Sequence, residues 1–163
     1  LTSLQQKWLD AFNQLQELSN QLEVGDPFNY NRGREIHTAF TLGLTISDTL
    51  AGADAYLGDQ PVELKSTIGA LKATYNGVSV HPTWGEQERY LVEDKIGKYP
   101  YHYITRYEGS ELVEAYRLTS NDVLSLLLPK FKKQYHTKRV VKDPRGSAQL
   151  TGNEIKTYGE RIK

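Results

Sequence analysis

Large apolar residues recur every three or four positions through the first 23 residues. Leu4, Trp8, Phe12, Leu15, Leu18 and Leu22 fall on one stripe, with polar residues between them. That period predicts an amphipathic helix over 2–23, stopped by Gly25-Asp26-Pro27. Its stripe suits packing on the rest of the chain or on a second subunit. A loop, PFNYNRG, leads to a second predicted helix over 34–44. Ile36, Ala39, Phe40 and Gly43 line its buried side, and Glu35 lies one position away. The period then changes from helical to alternating. Two short strands are predicted at 53–57 and 62–67, joined through Gly58-Asp59. Residues 68–77 carry no decisive pattern. A strand over VSVH (78–81), a helix over 85–96 and a hairpin of 101–107 with 111–118 follow. Ser120 or Asn121 caps a further helix, expected to run to about Leu128 and to be interrupted at Pro129. Thr151-Gly-Asn-Glu154 has the spacing of a capping box and opens a last short helix. The expected fold class is α/β, a small mixed β-sheet flanked by helices.

Composition narrows the class. The 163 residues, 38% hydrophobic and 25% charged, suit one soluble domain with a proper core. No apolar run is long enough to span a bilayer, so no membrane partner is expected. Residues 1–23 are too polar for a signal peptide, and a cytoplasmic location is expected. The lack of cysteine excludes a disulfide framework and a thiolate zinc site. There is no methionine, so the start residue is expected to be missing or trimmed. The net charge of zero hides an asymmetry: residues 1–63 carry −6, 64–129 carry −1 and 130–163 carry +7.

The nucleotide-binding glycine motifs, HExxH, the EF-hand loop and GxSxG are all absent. His37, His81, His102 and His136 are scattered and read as structural or surface residues. The candidate chemistry lies in GADAYLGDQPVELKST, residues 52–67. Alternate residues of a strand share a face. Glu63 and Lys65 therefore point one way while Val62 and Leu64 point the other. On the preceding strand Asp54 and Tyr56 share a face. Asp54, Glu63 and Lys65 are expected to converge on one rim, two carboxylates and an ammonium. Hard oxygen ligands of this kind suit Mg²⁺. Glu35 offers a further carboxylate. The plainer alternative is a surface hairpin with an ion pair worth under about 1 kcal/mol. The ExK pattern also occurs at Glu93-Asp-Lys95 and Glu154-Ile-Lys156, but on predicted helices, where residues two apart do not face each other.

Glu35 on a helix, Asp54 on a strand and Glu63-Leu64-Lys65 on the next resemble the core of the PD-(D/E)XK nuclease superfamily, best known from type II restriction endonucleases. The resemblance covers roughly residues 33–67. Ala53 stands where the name-giving motif has proline. The resemblance implies a restriction-endonuclease-like fold and Mg²⁺-dependent hydrolysis of DNA phosphodiesters, with Mn²⁺ as an alternative ion. It assigns Asp54, Glu63 and the Leu64 carbonyl to the metal, and Glu35 to a second metal or to positioning the first. Lys65 would orient the attacking water and stabilise charge developing at phosphorus. An ammonium beside two carboxylates favours its charged form, which argues against Lys65 as a simple base. The implied organisation is a single nuclease domain over 1–163, with a catalytic core at about 33–118 and a basic DNA-binding portion at about 119–163.

The basic arm fits double-stranded DNA as partner. Lys130, Lys132, Lys133, Lys138, Arg139, Lys142 and Arg145 are densely placed, and such residues give salt-sensitive affinity for phosphates. Asn153 and Lys156 in the last helix, with Gln149 and Thr151 before it, are further candidates, and the N-terminus of that helix is expected to be able to sit on a phosphate. Ser66, Thr67 and Tyr56 adjoin the candidate site. A Holliday-junction resolvase or repair nuclease is the alternative within the same chemistry. A catalytically silent DNA-binding module and a generic interaction domain are the alternatives outside it. A double-strand cut needs two active sites, so a homodimer or a partner nuclease subunit is expected.

Overall fold

The computed structural model describes residues 1–49, 51–139 and 144–163. The fold is mixed α/β, in line with the alternating periods of the sequence. The chain divides into two compact units, Leu1–Asp59 and Gln60–Lys163.

The first unit begins with α1 (Ser3–Gln21). Thr2 and Gln5 close a reciprocal capping box: the Gln5 amide donates to Thr2 Oγ1 at 3.2 Å and the Thr2 amide to Gln5 Oε1 at 2.7 Å. The apolar stripe of α1 is exposed along its length, and Ser19 is the buried residue of the helix. Helix α2 (Arg32–Leu42) ends on Gly43, whose left-handed φ of 69° lets the Leu44 amide return to the Ala39 carbonyl at 2.8 Å. Two short antiparallel strands follow, β1 (Thr45–Ile46) and β2 (Ala55–Leu57), with Ile46 opposite Ala55. Strand β2 starts two residues later than the alternation predicts. Asp54 sits on the bend before it, where its carbonyl accepts from the Ser47 amide at 3.0 Å. Apolar burial in this unit is modest: Val24, Ile36, Ala39, Leu44, Ala53 and Ala55.

The second unit carries the larger core. Strand β3 (Gln60–Ile68) runs parallel to β5 (Tyr101–Glu108), with Glu63 beside His102 and Lys65 beside Ile104. Strand β5 turns through Gly109 into antiparallel β6 (Glu111–Thr119), and β8 (Glu160–Arg161) pairs with β6. Parallel neighbours need a long crossover. Here it holds β4 (Lys72–Val78), α3 (Trp84–Arg89) and a π-helical turn (Tyr90–Lys95). Strand β4 pairs antiparallel with β7 (Gly146–Thr151), which leads into α5 (Gly152–Tyr158). The undecided segment 68–77 is thus mostly strand, and VSVH contributes only Val78 to it.

Helix α4 (Ser120–Arg139) is capped by Thr119, whose hydroxyl accepts from the Asp122 amide at 3.2 Å, and not by Ser120 or Asn121, which already lie in the helix; it also continues through Pro129 instead of stopping there. A mid-helix proline costs about 3 kcal/mol or more. Val123, Leu124 and Leu127 before it, and Phe131 and Tyr135 after it, are all buried. Five such side chains at about 1.5–3 kcal/mol each outweigh the lost hydrogen bond.

Gly97 ends the π-helical turn, where its amide reaches the Leu91 carbonyl at 3.2 Å. A Cβ there would lie 2.0 Å from the Val92 carbonyl oxygen, whereas one on Gly85 in α3 would meet nothing within 4 Å. Gly97→Ala is therefore expected to destabilise the chain by about 2 kcal/mol or more. Gly85→Ala should be neutral or stabilising by up to about 1 kcal/mol. Urea unfolding of the two variants checks the contrast.

Candidate active site

Strand β3 buries Val62 completely and Leu64 almost completely. Strict alternation then sends Glu63 and Lys65 to the opposite face, where their side chains keep 18% and 26% exposure. The Lys65 ammonium donates to Glu63 Oε1. It also stands 5.3 Å from the centre of the Tyr75 ring, a cation–π distance. The predicted meeting of acid and base on β3 is therefore observed.

Beneath this pair lies a buried polar chain. Tyr75 of β4 and His102 of β5 are both inaccessible or nearly so. The Tyr75 hydroxyl is 2.9 Å from His102 Nδ1, and His102 Nε2 is 3.2 Å from the Ile96 carbonyl. A carbonyl can only accept, so Nε2 carries the proton. Nδ1 then accepts, and the Tyr75 hydroxyl donates to it. Burial holds the His102 pKa down to about 4 from 6.5, and the nearby Lys65 charge acts in the same sense; Glu63 and the Ile96 carbonyl oppose it. Tyr75 is raised well above the usual tyrosine value, first by burial and then by the Glu63 charge, so it stays a phenol. Tyr99 packs edge-on against His102 at 6.3 Å, and Lys98 lies 4.8 Å from the Tyr99 ring.

The remaining predicted site residues are distributed as follows. Asp54, half-buried, and Glu35 belong to the first unit; Glu63, Leu64 and Lys65 belong to the second. Glu35 lies in the first turn of α2 and accepts from Arg32 Nη1 at 3.4 Å. Arg32 is itself buried. Its Nε donates to the Val24 carbonyl at 2.7 Å and its Nη2 to the Ser47 carbonyl. Glu35 thus takes part in a structural tie between α1's exit, α2 and β1's exit. Among the described residues no group of three or more His, Asp or Glu side chains forms a metal cage. Glu63, a hard oxygen donor that keeps part of its surface open, fits the sparse protein ligation of Mg²⁺, which takes one or two carboxylates and retains waters.

The basic positions fall into three groups. Lys130 is a tie: its ammonium donates to the Gln149 carbonyl and to Glu154 Oε2, each at 2.7 Å. Lys132 lies 5.7 Å from the Trp84 ring; it, Lys133, Arg145, Asn153 and Lys156 are exposed, while Lys138 is half-buried. Arg139 ends α4, and Lys142 lies outside the described residues. Thr151 caps α5, and Glu154 folds back onto the Thr151 amide at 2.8 Å, so a carboxylate already occupies that helix start. Gln149 accepts from Thr74 across the β4–β7 pair. Ser66, Thr67 and Tyr56 are half-buried or buried.

Sequence reasoning did not connect Tyr75 with His102. They are 27 positions apart, on strands β4 and β5 that belong to different sheets, so no local pattern links them. No protein-family model matches the chain, and no curated protein matches it.

The low His102 value has a measurable consequence. The folded state keeps the imidazole neutral while the unfolded chain protonates it near pH 6.5. Its contribution is fully present above about pH 6.5 and is lost as pH falls toward about 4. The loss is on the order of 3 kcal/mol. Nitrogen NMR should show His102 as the neutral Nε2–H tautomer at pH 6, and unfolding free energies should fall between pH 6.5 and 4. A His102→Gln variant should show a flatter profile across the same window.

Proposed function

We propose that the chain is a Mg²⁺-dependent DNA endonuclease with a restriction-endonuclease-like fold, of the type II restriction kind or the catalytic subunit of such an enzyme. The observation that carries this reading is the Glu63–Lys65 pair, set side by side on the open face of β3 and backed by Tyr75. An acid and an ammonium two residues apart on a strand meet the needs of phosphodiester hydrolysis, in which an anionic phosphorus centre gains charge.

In this reading Glu63 and the Leu64 carbonyl would hold the metal. Asp54 keeps the ligand role that the sequence resemblance assigns it, and Glu35 the lesser one. When bound, Mg²⁺ supplies Lewis-acid polarisation of the phosphate and a water of lowered pKa. Lys65 donates to the non-bridging phosphate oxygen or to the attacking water. Its position is held by the Glu63 carboxylate and the Tyr75 ring, which limits the side-chain freedom it must lose in the transition state. The neutral His102 supports the Tyr75 hydroxyl from below without adding a second positive charge. The exposed Lys132, Lys133, Arg145 and Lys156 supply phosphate contacts.

Plasmid cleavage with Mg²⁺ tests the reading. The intact chain is expected to give discrete fragments. Lys65→Ala, Glu63→Gln and Asp54→Asn should each lower the rate by about 10²-fold or more, with DNA binding retained. Cutting confined to four-way junctions would move the assignment to a resolvase, and binding without cutting would make this a DNA-binding module.

Salt dependence gives a separate check. Lys132→Ala and Lys133→Ala should each reduce the slope of log K against log salt by about 1, uniformly across DNA sequences. Lys130→Ala should act on stability instead, since it unties Glu154.

A further inference from the structure

We propose that α1 is a self-association helix whose apolar stripe packs against the same helix of a second copy of this chain. This pairing is independent of the chemistry proposed for β3.

Within the stripe, Trp8, Leu15 and Leu22 recur every seven residues, and Leu4, Ala11 and Leu18 recur every seven between them. That is the a/d alternation of a coiled-coil seam over about three heptads. The seam is open to solvent. Leu4 is 75% exposed, Trp8 63%, Leu15 47% and Leu22 56%. One flank of the seam is already engaged within the first unit: the Phe12 ring stacks on Phe28 at 3.8 Å, and Ser19 is buried. The helix is thereby anchored along one edge while its seam faces outward. Most helical stability in proteins comes from packing an amphipathic face, and pairing the seam supplies the burial this face lacks.

Three observations select a second copy as the occupant. The seam side chains present on the order of 600 Å² of apolar surface, at the lower bound of the about 600–1,000 Å² per partner of a specific interface. The positions flanking the seam are Gln5, Phe12 and Ser19 on one side and Lys7, Gln14 and Gln21 on the other. They hold one charge, so they carry no acid–base code that would choose a different helix, and two copies meet without like-charge pairs along the seam. An anionic membrane is disfavoured, because residues 1–23 carry Asp10, Glu17 and Glu23 against Lys7, the reverse of the basic polar face that such surfaces attract.

Sedimentation velocity of the full chain from about 1 to 200 μM tests this. A concentration-dependent monomer–dimer equilibrium is expected. Trp8→Glu and Leu15→Glu should each weaken it at least tenfold while leaving the far-ultraviolet spectrum of the monomer unchanged; Leu15→Glu, which makes no ring contact, should also leave its unfolding midpoint unchanged, whereas Trp8→Glu also removes the stack on Phe12. Asn13→Glu, on the exposed polar side, should leave the dimer intact. An intact chain that stays monomeric at about 200 μM overturns the proposal. So does a dimer indifferent to Trp8→Glu and Leu15→Glu, or a monomer that instead floats with neutral or anionic phospholipid vesicles.

Discussion

The second unit depends on one parallel pairing, β3 on β5. Parallel strands cannot be joined by a tight turn, so the chain must leave the sheet after Ile68 and return at Tyr101. The segment in between carries β4, α3 and the π-helical turn. It brings Tyr75 to one ring nitrogen of His102 and the Ile96 carbonyl to the other. A single buried imidazole on β5 therefore holds the crossover at two points. Each hydrogen bond contributes about 1 kcal/mol net, but leaving either partner unpaired in the interior costs about 1–3 kcal/mol. That asymmetry disfavours any crossover path that leaves these groups unpaired.

The two units handle buried charge differently. In the second, His102 avoids the cost by staying neutral, and Glu63 and Lys65 avoid it by keeping partial exposure. In the first, Arg32 is buried as a guanidinium, and its donors reach two backbone carbonyls and the Glu35 carboxylate. A guanidinium suits this because its planar fork addresses several acceptors at fixed angles. Glu35 is thus spoken for structurally as well as being a candidate in the chemistry. Lys130 is in the same position within the basic arm: charge composition counts it toward a phosphate surface, while its contacts make it a tie between α4, β7 and α5.

The helices show where local preference yields. The capping boxes at Thr2, Thr83 and Thr151 form as side-chain chemistry dictates, within three or four residues. Pro129 does not break α4, because the buried side chains on both sides of it demand a continuous helix face. Helix α1 satisfies its period but not its burial: the stripe exists, and no large residue of it is buried. Its period is a property of the chain alone, while burial depends on what packs against it.

The sequence by itself determined the helical stripe of α1, the capping box at Thr151, the β5–β6 hairpin and the alternation that separates Val62 and Leu64 from Glu63 and Lys65. All of these follow from interactions within a few residues. It also placed the Glu63–Lys65 pair correctly, since residues two apart on a strand must share a face. Tertiary structure decided the rest: that segment 68–77 forms strand β4, that Asp54 precedes its strand, that Pro129 is absorbed, and that Arg32, Tyr75 and His102 become interior polar groups. Those outcomes turn on desolvation and on distant partners, 27 positions apart for Tyr75 and His102 and 75 for Thr74 and Gln149. Local pattern carries no term for either, because burial is defined only once the strands have paired.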